Sequence, residues 1–557
     1  MNLYAYMCGI WALVQASKEY DARWYSAFQQ LSHRGPDYSS FEAYSNVLVG
    51  FHRLAIIDDT FSSNQPFIVE DETRTIVFLC NGEIYNYREL IELFHLPPIK
   101  NDCRVLLELY MKLLKAGQVD EFSSRLRYHV KGEYAFVILE FDRLKNLKRV
   151  VVGRDEIGVR PLYVSAVPEI LLFTSELKGA IGYDGEMVEF PPGTTRTYHF
   201  NELGLKGMEE ASHSRVYDTV PCSASEDVHI NRVRAAVMNS VRRRLCADKP
   251  IAWLLSGGVD SSLVAALSAK MLDKPIRTFC CGMRNGTDIQ YARMVAEHIG
   301  SNHTEVYFTE EEGLEAIHDV IRTVESWDTT TVRASVGQYI VSSHIGTSTD
   351  CKVVMVGEGP DEVCSSYLFN WYAPNGEALD VAAKEYVKNI HYYDVKRADR
   401  CIARWGLEGR VPLLDPEFIR AYWEIPSEQR MPTYKKMEKW WLREAFSGTD
   451  LLPDAVLWRK KEAFSDGVSG EKSWFKVIQE WVENKVTAEE MAAAATTYPY
   501  CTPQTKEAYY YRKVFCEIFG SGRQNVIPGY WQPKWSASGE VTGYIDPSAR
   551  VLGVYNE

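Results

Sequence analysis

Seven consecutive residues, Ser256-Gly257-Gly258-Val259-Asp260-Ser261-Ser262, combine two glycines, three hydroxyls and one carboxylate. The apolar run Ile251–Leu255 reads as a buried strand before them, and Leu263, Val264, Leu267 and Met271 follow at helical spacing. A glycine turn between a strand and a helix N-terminus offers free backbone N–H groups and the positive end of the helix dipole to an anion. The serines add donors, and Asp260 adds a carboxylate suited to Mg²⁺. This is the chemistry of a nucleotide phosphate site. The lysine of the usual NTP-hydrolase loop, G-x-x-x-x-G-K-S/T, is missing. A second strand, Lys352–Val356, ends in Gly357-Glu358-Gly359-Pro360-Asp361-Glu362. Carboxylates at a strand C-terminus are placed for ligands and metal.

Near the start of the chain stands Met7-Cys8-Gly9-Ile10-Trp11. A cysteine alone is a small buried hydrophobe. The same region also carries His33-Arg34-Gly35-Pro36-Asp37, His52-Arg53-Leu54, Asn81-Gly82-Glu83-Ile84-Tyr85-Asn86, and Arg154-Asp155 followed by Gly158 and Pro161-Leu162-Tyr163. Together these resemble the class II glutamine amidotransferase domain, an N-terminal-nucleophile fold, over residues 8–200. Removing the side-chain amide of glutamine calls for a thiolate, a base and an oxyanion site. With Cys8 as first residue, its α-amino group, of pKa about 7.7–8.0, takes the thiol proton. The resemblance implies that the Asn81 side chain and the Gly82 N–H form the oxyanion hole. It puts Arg53 on the substrate α-carboxylate, where a planar fork suits a planar anion, and Glu83 and Asp102 on the substrate ammonium. While Cys8 is joined to Met7 its nitrogen is an amide, so translation is expected to start at Met7, or residues 1–7 to be removed. His33 and Arg34 are read as structural parts of their Gly-Pro turn.

The heptad at 256–262 resembles the pyrophosphate-binding loop of ATP pyrophosphatases, which implies attack at the α-phosphate with AMP and pyrophosphate as products. Nearly the whole chain resembles the glutamine-dependent asparagine synthetases. The segments that carry this are the heptad, Glu325–Ser335, Gly357–Glu362, Gly406–Asp415 and Trp458–Gly467. The resemblance implies that aspartate is activated as β-aspartyl-AMP and attacked by ammonia carried through an internal tunnel. It assigns ATP to Leu255, Ser256, Gly257, Gly258, Val259, Asp260, Ser261, Ser262, Gly357, Glu358, Asp361 and Lys461, and Mg²⁺ to Asp260 and Asp361. Arg333 and Lys461 would neutralise phosphate charge, and Glu358 would be the base for ammonia. A homodimer and a cytoplasmic enzyme are implied. The chain departs from the family pattern at Val356, Pro360 and Cys364-Ser365-Ser366, and more mildly at Gly409 and Leu413. Proline removes a donor, and replacing glycines removes unstrained access to φ > 0. A β-lactam synthetase type of ligase and a pseudoenzyme are the alternatives. Cys8 argues against the first, and the retained Cys8, Asp260, Glu358 and Lys461 argue against the second.

The elements that must hold these groups follow from periodicity. Val47–Leu54, Thr75–Cys80, Tyr134–Phe141, Val150–Gly153 and Ile170–Thr174 read as strands, and Arg23–Leu31 and Cys103–Leu114 as helices. The pattern predicts antiparallel sheets sandwiched by helices, an α+β layer architecture, and then a parallel sheet alternating with long helices; the resemblance implies that these are an αββα sandwich domain at 8–205 and an α/β parallel-sheet ATP-pyrophosphatase domain at 206–557. At 557 residues, two domains are the default. A net charge of −13 argues against nucleic acid as a partner. The 12 cysteines form no C-x-x-C pair, so zinc is not expected and the thiols fit a reducing compartment. No apolar run is long enough for a bilayer, and Leu3–Val14 lacks the basic region and cleavage site of a signal peptide. Arg242-Arg243-Arg244 is expected on a solvated helix face, and 520–557, rich in Gly, Pro and Ser, as a loosely packed tail.

Overall fold

The computed structural model describes residues 8–15, 21–165, 170–202, 204–284, 286–461 and 472–546. The expectation about residues 1–7 therefore lies outside the described residues. The chain divides into two compact units, one running to Arg215 and joined by Cys246–Pro250 and Ala403–Glu408, the other made of the rest. The sequence boundary at 205/206 cuts through a strand, Gly204–Ser212, that pairs along its length with the strand before it.

The first unit contains β1 (Gly9–Gln15), β2 (Tyr38–Tyr44), β3 (Val47–Arg53), β4 (Phe67–Glu70), β5 (Arg74–Ile84) and β6 (Gly132–Asp142). It continues with β7 (Leu147–Arg154), β8 (Tyr163–Ser165), β9 (Ile170–Thr174), β10 (Met187–Glu189), β11 (Thr194–Asn201) and β12 (Gly204–Ser212). Its helices are α1 (Ala22–Gln29), α2 (Tyr87–Leu93), α3 (Arg104–Lys115) and α4 (Phe122–His129). Two antiparallel sheets form, in the orders β10-β8-β9-β1-β3-β2 and β12-β11-β7-β6-β5-β4. Antiparallel strands usually alternate apolar with polar, but every residue of β3 is buried. The reason is cover on both faces. Ile10, Ala12, Val49 and Phe51 of one sheet meet Val77, Leu79, Ala135 and Val137 of the other in a single core. Behind it, Phe78 and Phe136 pack on Leu106, Tyr110, Phe122 and Leu126 of α3 and α4, and Trp11 packs on Trp24 and Phe28 of α1. The αββα sandwich follows.

The second unit alternates helices and strands: α5 (Glu226–Arg244), β13 (Ile251–Leu254), α6 (Val259–Leu272), β14 (Arg277–Gly282), α7 (Thr287–His298), β15 (Asn302–Tyr307), α8 (Glu310–Val324), α9 (Thr329–Ser348) and β16 (Val353–Met355). Then come α10 (Pro360–Val363), α11 (Gly376–Asn389), α12 (Asp394–Ala403) and β17 (Glu408–Arg410). β13 runs parallel to β14 and β16, and β14 parallel to β15, in a sheet of order β15-β14-β13-β16-β17. Adjacent parallel strands β13 and β16 end side by side, so the loops at 256–262 and 357–362 share one rim, the end of an open α/β sheet that takes ligands.

Two expectations are corrected. Arg243 and Arg244 are not solvated: both pair with Asp415, at 2.9 and 2.7 Å, and Arg243 also reaches Glu417. The segment from 520 to 546 is not loose. Trp531 and Trp535 are buried against Phe369, Leu379 and Ala382, two aromatic anchors in a stretch whose glycines and prolines otherwise read as tail.

Candidate active sites

Cys8 immediately precedes β1, whose residue Gly9 pairs with His52 of β3, so the thiol stands at the strand end that also carries Arg53. Its Sγ lies 3.4 Å from the donating Leu54 N–H. Burial pushes the thiol up to about 12, against the Leu54 contact and the nearby Arg53 charge. A thiol so held needs a base before it can attack. The Cys8 carbonyl accepts from Arg34 Nε at 3.0 Å. Arg34 in turn is ion-paired with Glu176, which also takes Lys178 at 2.5 Å and His33 at 2.9 Å. His33 is thus tied to Glu176, with burial lowering its pKa, and serves the turn as expected. Asp155 accepts from the backbone N–H groups of Ile157, Gly158, Val159 and Arg160, closing the turn after β7.

β5 brings Asn81, Gly82 and Glu83 to the same unit. Asn81 is 1% exposed, and its Nδ2 is buried with no hydrogen-bond partner. A buried amide donor left unmade costs about 1–3 kcal/mol, which a developing oxyanion would repay. Gly82 is required by close approach: an added Cβ would lie 2.2 Å from Glu133 O and 2.6 Å from Tyr134 Cα on β6. Asp102 accepts from Ile84 N–H at 2.8 Å, and Cys103 Sγ donates to Gly82 O at 3.2 Å, so the residues leading into α3 hold the stretch that follows Asn81. Burial raises the Asp102 carboxyl to about 6. Arg53 donates to Thr60 O at 3.0 Å, to Asn64 Oδ1 at 2.6 Å and to Asp58 O. Its fork is thus anchored by the 58–64 loop.

In the second unit one pocket is lined by Leu255, Ser256, Gly258, Val259, Asp260 and Ser261 from the first loop, and by Gly357, Glu358, Gly359, Asp361 and Glu362 from the second. No side chain caps α6, so its first N–H groups are left for an anion. Ser261 Oγ accepts from Ser256 N–H and holds the loop shut. Gly357 sits so close to α6 that a Cβ would fall 2.6 Å from Ser261 N. Lys461 joins Asp361 at 2.5 Å, and Arg459 and Lys460 also line the wall, so this basic run is not simply solvated. Burial opposes the Asp361 charge, but Lys439 and Lys461 outweigh it and hold the carboxyl far below the usual range. Glu358 accepts from Gln338 Nε2 at 3.0 Å and lies 3.5 Å from Arg397. Burial raises its pKa while Arg397 works the other way, a setting that suits a general base.

Three assigned residues do not line the pocket. Gly257 adopts φ +74° and turns toward Tyr291 and Ala292 of α7, and Ser262 is fully buried in α6; neither lines the pocket. Arg333 does not line this pocket. It is paired with Glu507 and with Asp546 at 2.7 Å and stacked over Phe475, and none of Glu325–Ser335 lines the pocket. Sequence reasoning missed Lys439, Gln338, Asp394 and Arg397, which do line it. The spacing of Asp394 and Arg397 on one face of α12 was the available signal. The altered turn is accommodated. Pro360 takes the first position of α10, where its missing donor would be unpaired anyway. Ser365 adopts φ +52°, and Ser366 Oγ donates to Asp361 Oδ1 at 2.5 Å.

Asp260 and Asp361 offer hard oxygen donors, and Asp260 Oδ1 is buried with no partner, so the pair fits Mg²⁺. Among the described residues no group of three or more His, Cys, Asp or Glu side chains could hold a metal. Phosphate and water would complete such a site, as is usual for this ion.

Residues 232–380 and 373–538 match the Asparagine synthase family, and residues 7–221 match the Glutamine amidotransferase domain family. Human asparagine synthetase (glutamine-hydrolysing) is 40% identical, over 99% of this chain and 99% of its own. The chicken protein of the same name is 38% identical over the same shares. Among solved structures, the glutamine phosphoribosylpyrophosphate amidotransferase from B. subtilis complexed with ADP and GMP covers 54% of this chain and 81% of its own, at 15% identity and a TM-score of 0.31, a likeness too slight to argue from. On full-length identity and two family matches, the chain belongs to the glutamine-hydrolysing asparagine synthetases.

Proposed function

We propose that this enzyme hydrolyses glutamine to glutamate and ammonia at Cys8, and uses the ammonia to convert aspartate to asparagine at the expense of ATP. The observation that carries the reading is the union in one chain of two sites. One is a thiol in the unit that also holds an unpartnered buried amide; the other is a strand-end pocket holding Asp260, Glu358, Asp361 and Lys461.

At the first site the Cys8 thiol attacks the side-chain carbonyl of glutamine. A free α-amine on Cys8 takes the thiol proton and returns it to the leaving ammonia, and water then hydrolyses the γ-glutamyl thioester, releasing glutamate and restoring the thiol. Asn81 Nδ2 and the Gly82 N–H receive the oxyanion; Arg53 takes the α-carboxylate, and Glu83 and Asp102 take the ammonium. At the second site the aspartate β-carboxylate attacks the α-phosphorus of ATP, releasing pyrophosphate and leaving β-aspartyl-AMP. Ammonia then attacks the acyl carbon, Glu358 accepts a proton, and AMP departs. Lys461 and the uncapped start of α6 stabilise the phosphate charge. Mg²⁺, when bound through Asp260 and Asp361, would screen the triphosphate. Asp394 and Arg397 carry the opposite charges needed to hold the α-ammonium and α-carboxylate of aspartate. Twelve free thiols suit a reducing cytoplasm, and no helix among the described residues is long and apolar enough to cross a membrane. A homodimer is the expected state, checked by light scattering.

The test is a product assay with glutamine, ATP, Mg²⁺ and a panel of carboxylic acids. Asparagine with AMP and pyrophosphate is expected; ADP, or preference for another acid, overturns the reading. Cys8→Ala is expected to abolish glutamine-dependent synthesis and keep ammonia-dependent synthesis, whereas Glu358→Ala is expected to do the reverse to glutaminase and synthesis. Intact mass of active enzyme is expected to show Cys8 as first residue; full glutaminase activity in a chain starting at Met1 refutes the α-amine as base.

A further inference from the structure

Lys439 lies between the two acidic loops of the nucleotide pocket. Its Nζ is 2.5 Å from Asp260 Oδ2 and 2.7 Å from Asp361 Oδ1, and its side chain is 1% exposed. The backbone there is left-handed, φ +57°, where Lys439 begins the short helix Trp440–Glu444. Its carbonyl accepts from Arg443 N–H at 3.0 Å. An uncommon backbone state for a non-glycine residue persists only where its surroundings fix it, so the ammonium is delivered to this point rather than drifting there. Burial opposes its charge, and the two carboxylates outweigh burial. The remaining oxygens differ: Asp361 Oδ2 pairs with Lys461, while Asp260 Oδ1 is buried without a partner.

A divalent ion bridging these carboxylates would need the same space. Mg²⁺ binds oxygen at about 2.0–2.1 Å, and a nitrogen within hydrogen-bonding distance of both oxygens fills the gap between them. Two cations in one gap repel strongly at low dielectric. We propose that Lys439 is a resident cation that excludes a divalent ion from the Asp260–Asp361 pair until nucleotide phosphates draw its ammonium away. This rests on the reading of those two carboxylates as the metal-holding pair. Before nucleotide arrives, Lys439 neutralises two carboxylates that would otherwise repel each other and the triphosphate. Afterwards the same ammonium is available to the phosphates. Metal and nucleotide then enter together, and metal alone does not.

The test follows Mn²⁺ binding by the paramagnetic signal of the free ion, with the full chain. Wild-type enzyme is expected to show no stoichiometric site with Mn²⁺ alone, and one site once α,β-methylene-ATP is added. Lys439→Gln is expected to bind Mn²⁺ without nucleotide at least about tenfold more tightly than wild type, whereas Lys439→Arg behaves as wild type. A one-to-one Mn²⁺ site in the wild type without nucleotide, lost in Asp361→Asn, overturns the proposal with no Lys439 variant needing to fold. So does a Lys439→Gln protein that melts cooperatively and gains no affinity. If nucleotide-dependent binding survives in both Asp260→Asn and Asp361→Asn, the assignment of metal to these carboxylates fails, and the role of Lys439 fails with it.

Discussion

Asp102 meets opposite demands. Burial raises its pKa from 3.8 to about 6, yet holding a substrate ammonium requires its charged form. A raised carboxyl pKa favours the protonated folded state, so its contribution to stability is present below pH 3.8 and lost as pH rises through about 6. Activity runs the other way. The KM for glutamine is expected to climb as pH falls below about 6, with ammonia-dependent synthesis, measured at constant free ammonia, free of that step. Asp102→Asn is expected to raise KM and remove the pH step; a profile that keeps the step assigns it elsewhere. Glu176 carries a different load, since it neutralises Arg34 and Lys178 behind the Cys8 carbonyl. Glu176→Gln strands buried cations and is expected to cost about 3–5 kcal/mol in denaturant titration.

At the scale of elements, the nucleotide pocket depends on two turns pressed together. Gly357→Ala puts a methyl 2.6 Å from Ser261 N, which must push the turn after β16 off the start of α6. A misplacement of that size is expected to lower kcat/KM for ATP about 100-fold and leave glutaminase turnover unchanged. In the same turn Ser365 holds φ +52°, and Ser365→Gly is expected to stabilise the chain by about 1 kcal/mol, read as a rise in melting temperature. These turns were legible in the sequence because glycines, hydroxyls and carboxylates stood together between a strand and a helix. Lys439 and Gln338 were not, because each comes from a separate segment and its neighbours look like ordinary helix surface. The pairing of Arg333 was hidden for the complementary reason: its partner Asp546 lies 213 residues further on, and no local pattern announces such a pair.

The whole molecule is stabilised at its far end by residues that composition hides. Trp535 is 4% exposed in a stretch rich in glycine and proline. Trp535→Ala is expected to cost the second unit about 3–5 kcal/mol, seen as a lowered calorimetric transition that nucleotide protects, while glutamine hydrolysis persists. The boundary between units was similarly hidden, because β12 carries mostly exposed residues and reads as linker until its pairing with β11 is seen. The first unit is also not contiguous. Asp248 accepts from Asp58 N–H at 2.9 Å, Asp58 O accepts from Arg53, and Glu408 lies 3.6 Å from Arg160. Both Asp248 and Glu408 arrive long after the thiol has left the ribosome. A nascent chain of two hundred residues therefore holds Cys8 but lacks the strut behind the Arg53 loop, and that strut is delivered only with the beginning of the synthetase sheet. A chain ending before Asp248 is therefore expected to hold the Arg53 loop less firmly, seen as a raised KM for glutamine in a glutaminase assay of such a fragment.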